Sequence, residues 1–270
     1  SFNPHVIVIG GHDKKFINIM KKFYLDFYKD RIPIVITNPQ TAEMIKYANN
    51  SFLATKISFI NQLANICQYI SGINIDDVAK AIGLDPRIGV SFLRAGPGYG
   101  GSCLPKDINA LITFSTQLGH NPTLLKMVKK TNEEQIINIF SDIKDILGKI
   151  ENKQITILGL SFKERSDDIR ESVSIKLIEL LLKRKASIIV HDPMAIKNTR
   201  EIFGNKISYA KSIHESLEKS ECVIIMTPWK HYEKLSNKDF QIMKKRIVID
   251  TRRLLVKKKL DVDFYATGVG

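Results

Sequence analysis

From Gln154 onward, short apolar runs alternate with helical stretches, and this alternation constrains the fold more than any other feature of the chain. Residues 155–159, 187–191, 222–226 and 246–250 read as buried strands, with 207–209 and 264–267 as two more. Residues 174–185, 199–203, 212–219 and 240–244 read as the helices between them. Strands that are apolar throughout are covered on both faces, and strand–helix repetition builds a parallel, Rossmann-like sheet. The turn after the first of these strands, Gly159-Leu160-Ser161-Phe162-Lys163, lacks Gly-x-Gly-x-x-Gly. A standard dinucleotide pocket is therefore not expected in this half.

The chain before Gln154 is of a different kind. Residues 41–71 contain neither Gly nor Pro and read as one long helix, with Thr41 as its cap and Glu43 in its first turn. Its apolar residues Met44, Ala48, Phe52, Phe59, Leu63, Ile66 and Ile70 fall on one face, close to a 3.6 period. Gly72 stops it. Further helices are expected over 75–83, 105–118 and 122–147, closed by Gly83, Gly119 and Gly148. At the start, 5–9 and 34–37 read as strands flanking an amphipathic helix over 13–29. A lone strand needs a sheet, so this segment looks like the tail of another α/β domain. The expected fold class is α/β: an N-terminal Rossmann remnant (1–40), a central all-helical region with a long helix able to make a dimer (41–150), and a Rossmann-like sheet domain (151–270).

The net charge is +13. That balance suits anionic partners such as nucleic acid, phosphorylated ligands or acidic lipid. The lysines are scattered, Lys257–Lys259 is the only lysine triple, and no basic cluster carries interleaved aromatics, so nucleic acid is not the expected partner. No apolar run has the length of a membrane span and no signal peptide heads the chain, so no membrane partner is expected. Three widely spaced cysteines argue against a disulfide framework and for a reducing, cytoplasmic compartment. Cys67 and Cys222 read as core residues, and no Cys/His cluster has zinc spacing, so no metal is expected.

The third cysteine has a different setting. Gly98-Tyr99-Gly100-Gly101-Ser102-Cys103-Leu104-Pro105-Lys106-Asp107 delivers Cys103 to the first turn of a helix, with Pro105 at its first position. A helix N-terminus presents unpaired N–H groups at the positive end of the dipole, which favours thiolate. Asp107 follows four residues later, on the same face. A Gly-Gly-Ser-Cys run alone fits a turn with a buried cysteine equally well. Other constellations add to it. Lys46 and Asn50 share one face of the long helix, where a plain exposed helix face is the simpler reading. The charged stretch from Lys163 to Arg170, followed by Glu171-Ser172, and Asp250-Thr251-Arg252-Arg253 both follow strands, at the carboxyl edge where such sheets bind ligands.

Taken in order, Lys46-Tyr47-Ala48-Asn49-Asn50, Arg87-Ile88-Gly89, Phe92-Leu93-Arg94-Ala95-Gly96, the run from Gly98 to Asp107, Phe162-Lys163 through Arg170-Glu171-Ser172, and Asp250-Thr251-Arg252-Arg253 resemble the nucleotide-sugar 6-dehydrogenases. The stretch from Phe92 to Gly96 favours the UDP-glucose branch over the GDP-mannose branch, which shares Gly-Gly-Ser-Cys. Ser102 argues against the N-acetylhexosamine branch, which usually has histidine there. A non-catalytic nucleotide-sugar-binding module is the rival from another class.

The resemblance implies a UDP-sugar substrate, NAD as cofactor, a homodimer through the long central helix, and oxidation of the sugar C6 alcohol to a carboxylate. It implies roles residue by residue. Cys103 is the expected nucleophile, Lys46 and Asn50 stabilise oxyanion character at C6, and Asp107 handles the hydrolytic water. Phe92, Leu93, Arg94, Ala95 and Gly96 meet the nucleotide, and Gly100 leaves room for the sugar. Lys163 and Arg252 pair with substrate charge. Arg87 reaches toward the partner's site, and Lys106 and Arg170 contact the cofactor. The family's Gly-x-Gly-x-x-Gly turn and its catalytic glutamate are not found here. The expectation is a C-terminal portion of such an enzyme that by itself turns over no substrate.

Overall fold

The structure, a computed structural model, describes residues 3–29 and 31–270; Ser1, Phe2 and Asp30, which fall in the expected N-terminal segment, lie outside the described residues. The chain forms two compact units, Ser1–Phe52 and Leu53–Gly270. In the first, β1 (Ile7–Gly10) and β2 (Ile34–Thr37) pair in parallel, connected through α1 (Lys14–Tyr28). The Asp13 carboxylate caps α1 by accepting the Lys15 N–H at 2.7 Å. The unit ends within α2 (Pro39–Cys67), a helix of 29 residues. Its cap is Asn38 and not Thr41: Asn38 Oδ1 accepts the Thr41 N–H at 2.8 Å. Pro39 takes the first helical position, where a missing N–H leaves no bond unmade. The earlier start moves Glu43 out of the first turn, and the helix ends at Cys67, short of Gly72.

In the second unit, Ile60, Ala64 and Cys67 of α2 pack on Ile75 and Ala79 of α3 (Ile75–Gly83), and on Leu93 and Ala95. A second small core joins Ala54 and Tyr99 to Ile108 of α4 (Leu104–Gln117) and Val128 of α5 (Thr123–Leu147). The face of α2 marked by the sequence period is largely uncovered: Met44, Phe52, Phe59 and Ile66 are exposed, while Leu63 packs against the core. Periodicity identifies an apolar face but carries no information about what covers it.

Six parallel strands follow: β3 (Gln154–Leu158), β4 (Ser187–His191), β5 (Ser208–Tyr209), β6 (Cys222–Ile225), β7 (Ile247–Asp250) and β8 (Asp263–Ala266). Their order is β5-β4-β3-β6-β7-β8, so the winding reverses between β3 and β6, as in doubly wound folds. The helices are α6 (Val173–Lys183), α7 (Ile196–Phe203), α8 (Ile213–Leu217) and α9 (Asn237–Phe240). On one face Ile155, Ile157 and Ile224 pack against Ile139 and Ile143 of α5 and Leu177 and Ile178 of α6. On the other, Leu158, Val223 and Ile225 meet Trp229, Tyr232 and Phe240. Each such fully buried side chain contributes about 1.5–3 kcal/mol. The helix expected over 240–244 lies over Asn237–Phe240, because Ser236 and Asp239 form a capping box that starts it earlier.

One buried arginine joins the sheet to the helices. Arg253, just after β7, donates from Nε to Asp76 at 2.9 Å, from Nη1 to the Thr267 carbonyl at 3.1 Å, and from Nη2 to the Ala95 carbonyl at 2.8 Å. The carboxyl edge of the sheet is thereby held against the loop that precedes the glycine run.

Candidate active site

Cys103 is the N-cap residue of α4, with φ −93° and ψ −65°, and Pro105 follows inside the first turn. The helix begins at Leu104, one residue before the expected start, which places the cysteine at the helix entrance. It is exposed, and Ser102 Oγ lies 3.8 Å from its Sγ. One turn along, Asp107 is fully buried; its N–H donates to the Cys103 carbonyl at 2.9 Å and its Oδ1 accepts from Lys106 Nζ at 2.7 Å. A buried carboxylate is tolerable only when paired and hydrogen-bonded, so Lys106 supports Asp107 as well as facing solvent.

Close backbone packing shapes the glycine run. A Cβ on Gly100 would overlap the Glu171 carbonyl oxygen, so the backbone of that residue lies close on this side of the glycine. Gly101 has φ +80°, and a Cβ on it would lie 2.7 Å from the Phe162 ring. The Gly101 N–H donates to the Arg170 carbonyl at 2.9 Å. These contacts bring the segment after β3 onto the thiol loop. Arg170 is paired with Asp168 at 2.7 Å. That carboxylate first, and the Cys103 charge as a smaller cause, hold its guanidinium above the usual arginine value. A cleft of about 680 Å³ runs beside the loop, lined by Ser102, Lys106, Lys129, Arg170 and Lys176 among others. Glu133 and Glu171 line it too, and each of the four cations is paired with a carboxylate: Lys106 with Asp107, Lys129 with Glu133, Arg170 with Asp168 and Lys176 with Glu171; the two residues expected to contact NAD are among them. Lys163 is exposed, with its ammonium 5.3 Å from the Phe162 ring centre.

A second cationic centre lies after β7. Asp250 is buried and builds the turn, accepting the Arg252 N–H at 3.0 Å and the Leu255 N–H at 2.8 Å. Burial pushes its carboxyl up. Arg252 is half-buried, donates from Nε to the Met226 carbonyl at 2.7 Å, and is pushed down to about 9 by burial first, then by Arg253 and Arg94. Desolvated cations in mutual repulsion are relieved by an anion. Of the stretch that precedes the glycine run, Leu93, Ala95 and Gly96 are buried while Phe92 and Arg94 are exposed. Phe92 adopts φ +65°, a left-handed conformation that costs an aromatic residue roughly 1–3 kcal/mol. Arg87 is 87% exposed and folds back on Asp85 at 2.6 Å.

Lys46 and Asn50 belong to the first unit. They sit one turn apart on α2, Lys46 with its ammonium 5.8 Å from the Tyr47 ring centre and Asn50 accepting from Asn49 Nδ2 at 3.4 Å. Sequence reasoning passed over Asn61, Asn132 and Gln135, whose amides hold the backbone of the 96–99 segment. The sequence carried no signal for them: Asn132 and Gln135 stand in the polar run Lys129–Gln135, where an amide reads as helix surface.

The family description "UDP-glucose/GDP-mannose dehydrogenase family, central domain" matches residues 40–134, and the same family's "UDP binding domain" matches residues 156–257. The chain belongs to the UDP-glucose/GDP-mannose dehydrogenase family. Among family members, UDP-glucose 6-dehydrogenases of Rickettsia felis and Bacillus subtilis are 37% and 38% identical to it over 98% and 99% of its length. The chain spans 60% and 61% of those relatives. In three dimensions it matches a UDP-glucose dehydrogenase from Pyrobaculum islandicum with a TM-score of 0.89 at 35% identity, covering 100% of this chain and 60% of that one. Both the thiol loop and the second cationic centre fall within the matched family domains.

Proposed function

We propose that this chain binds UDP-glucose and supplies the thiol for its NAD-dependent, four-electron oxidation to UDP-glucuronate. The observation that carries the reading is the exposed Cys103 at the entrance of α4, beside a cleft of paired charged side chains and with Asp107 one turn away. Two NAD molecules, bound in turn, would accept one hydride each; Lys106 and Arg170 are the residues that would contact the cofactor. Cys103 Sγ attacks the C6 aldehyde carbon, and the carbonyl electron pair moves to oxygen, giving a thiohemiacetal. Loss of hydride from that carbon and of a proton from its hydroxyl leaves a thioester. Water then attacks the thioester carbon, the thiol leaves, and a carboxylate remains. Covalent capture keeps the aldehyde from escaping. Asp107 positions the water, and Lys46 and Asn50 stabilise the developing charge on the C6 oxygen.

Arg252, with Arg94 beside it and Lys163 nearby along the same sheet edge, receives the substrate's diphosphate, and the stretch from Phe92 to Gly96 meets the nucleotide. The assembly is a homodimer in which the open face of α2 is covered by a second copy and the exposed Arg87 extends to the partner's site. The exposure of Phe59, Ile66 and Arg87 supports it.

Calorimetry tests the reading. UDP-glucose is expected to bind and GDP-mannose not to, while Arg252→Ala weakens UDP-glucose binding at least about tenfold, the consequence of losing a charge-assisted contact. Binding of GDP-mannose in preference, or of neither nucleotide sugar, would overturn it.

A further inference from the structure

Three side-chain amides grip the loop that connects the two cationic centres. Gln135, fully buried on α5, donates from Nε2 to the Gly96 carbonyl at 2.9 Å. Asn61, on α2, accepts the Gly96 N–H at 2.8 Å. Both polar groups of Gly96 are thus held by side chains of two different helices. One turn earlier on α5, Asn132 alone does the same for Tyr99: its Oδ1 accepts the Tyr99 N–H at 2.8 Å and its Nδ2 donates to the Tyr99 carbonyl at 3.0 Å. Asn65 donates to Gln135 Oε1 at 2.9 Å and so fixes which way that amide points.

A buried amide is costly, and a buried loop carbonyl without a partner is costly too. The Asn61 side chain makes the first cost visible. It is 1% exposed, and its Nδ2 has no hydrogen-bond partner among the described residues. A leucine would fill that space without an orphaned donor but would offer no acceptor, and the Asn61 oxygen is the acceptor that serves the Gly96 N–H. Gly96 in turn sets Arg252: the position of a Cβ on Gly96 lies 2.8 Å from Arg252 Nη1, so the guanidinium rests on the glycine. From Tyr99 the chain runs directly through Gly101, bonded to the Arg170 carbonyl, to Cys103.

We propose that Asn61, Asn132 and Gln135 are positioning residues, a clasp that fixes the spacing between Arg252, where the diphosphate is received, and Cys103, where C6 reacts. The proposal rests on the reading of this site as a nucleotide-sugar site. The clasp lets one ligand satisfy both ends at once, because a loop pinned at two residues cannot slide along the helices.

Gln135→Leu keeps the volume and removes the donor; Asn132→Ala, at a half-buried position, carries the same test should the first variant not fold. Hydrogen exchange at Gly96 and Tyr99–Cys103 is expected to accelerate at least about tenfold in either variant, from the loss of one hydrogen bond to the loop in Gln135→Leu and of two in Asn132→Ala. Saturating UDP-glucose is expected to shield Cys103 from iodoacetamide in the parent chain and to lose that shielding in the variants. Asn61→Asp, which keeps the acceptor for the Gly96 N–H, retains shielding that Asn61→Leu loses. Parent-like exchange and parent-like shielding in both Gln135→Leu and Asn132→Ala would overturn the clasp. If the parent chain binds no UDP-glucose, the functional reading falls, and the exchange rates still decide the clasp.

Discussion

Cys103 is exposed, whereas Cys67 and Cys222 are buried, and burial pushes the Cys222 thiol far up. Reactivity follows thiolate access, so the three should differ sharply. Iodoacetamide is expected to modify one site per folded chain, and Cys103→Ser to abolish the reaction; peptide mass spectrometry checks it, and label on Cys222 before unfolding would contradict it. At this scale much of the site was legible. Cys103, Asp107 and Arg252 sit in runs whose residue types announce chemistry. Gly100 was legible as a glycine but not in its reason, since only the folded chain shows that the Glu171 backbone fills the space. Asn61 and Gln135 were not legible at all. An amide on a helix looks like ordinary surface until the loop it serves is folded against it.

The elements were read closely where caps and breakers are strong, and less well where a cap competes with a neighbour. Asn38 displaced Thr41 at the start of α2, and the Ser236–Asp239 box displaced the start of α9. The long helix α2 is two-faced. Its covered face combines small or polar residues, Ala54, Ser58 and Ala64, which allow close approach, with Ile60, while Phe52, Phe59 and Ile66 face outward. Phe59, Leu63 and Ile66, with Thr131 and Asn138 of α5, line an open groove of about 440 Å³. If a second copy covers that groove, Phe59→Glu together with Ile66→Glu should convert the dimer to a monomer in sedimentation velocity while leaving the circular dichroism of the chain unchanged. A parent chain that sediments as a monomer would remove the basis for the dimer.

For the molecule as a whole, two histidines near the carboxyl edge of the sheet link stability to pH. His191 is pushed below its ordinary value of 6.5 by burial first and by His231 second; His231 is pushed down by burial. His191 Nδ1 lies 3.0 Å from the Tyr232 hydroxyl, which packs under the sheet. With folded values below the unfolded ones, the unfolded chain takes up protons first as pH falls. Their contribution is therefore complete above about pH 6.5 and declines as pH drops through it. Urea midpoints are expected to fall between pH 7.5 and 5.5, and His191→Gln to flatten the fall. A flat profile in the parent chain would refute the linkage. The paired carboxylates Asp85, Asp168 and Glu221, held below their ordinary values, act in a separate and more acidic window.

What the amino-acid sequence determined by itself was local: the strand–helix alternation, the glycine stops, and the motifs that put a thiol and cations at loop ends. These depend on backbone propensity and on residue chemistry within a few positions of one another. The tertiary structure alone decided which face of α2 is covered, that the Glu171 backbone fills the space beside Gly100, and that Arg253 ties the segment before the thiol loop to the sheet while three amides tie it to α2 and α5. Those depend on partners as far apart in the chain as Asp76 and Arg253, and a hydrogen bond between them exists only once the chain has brought them together.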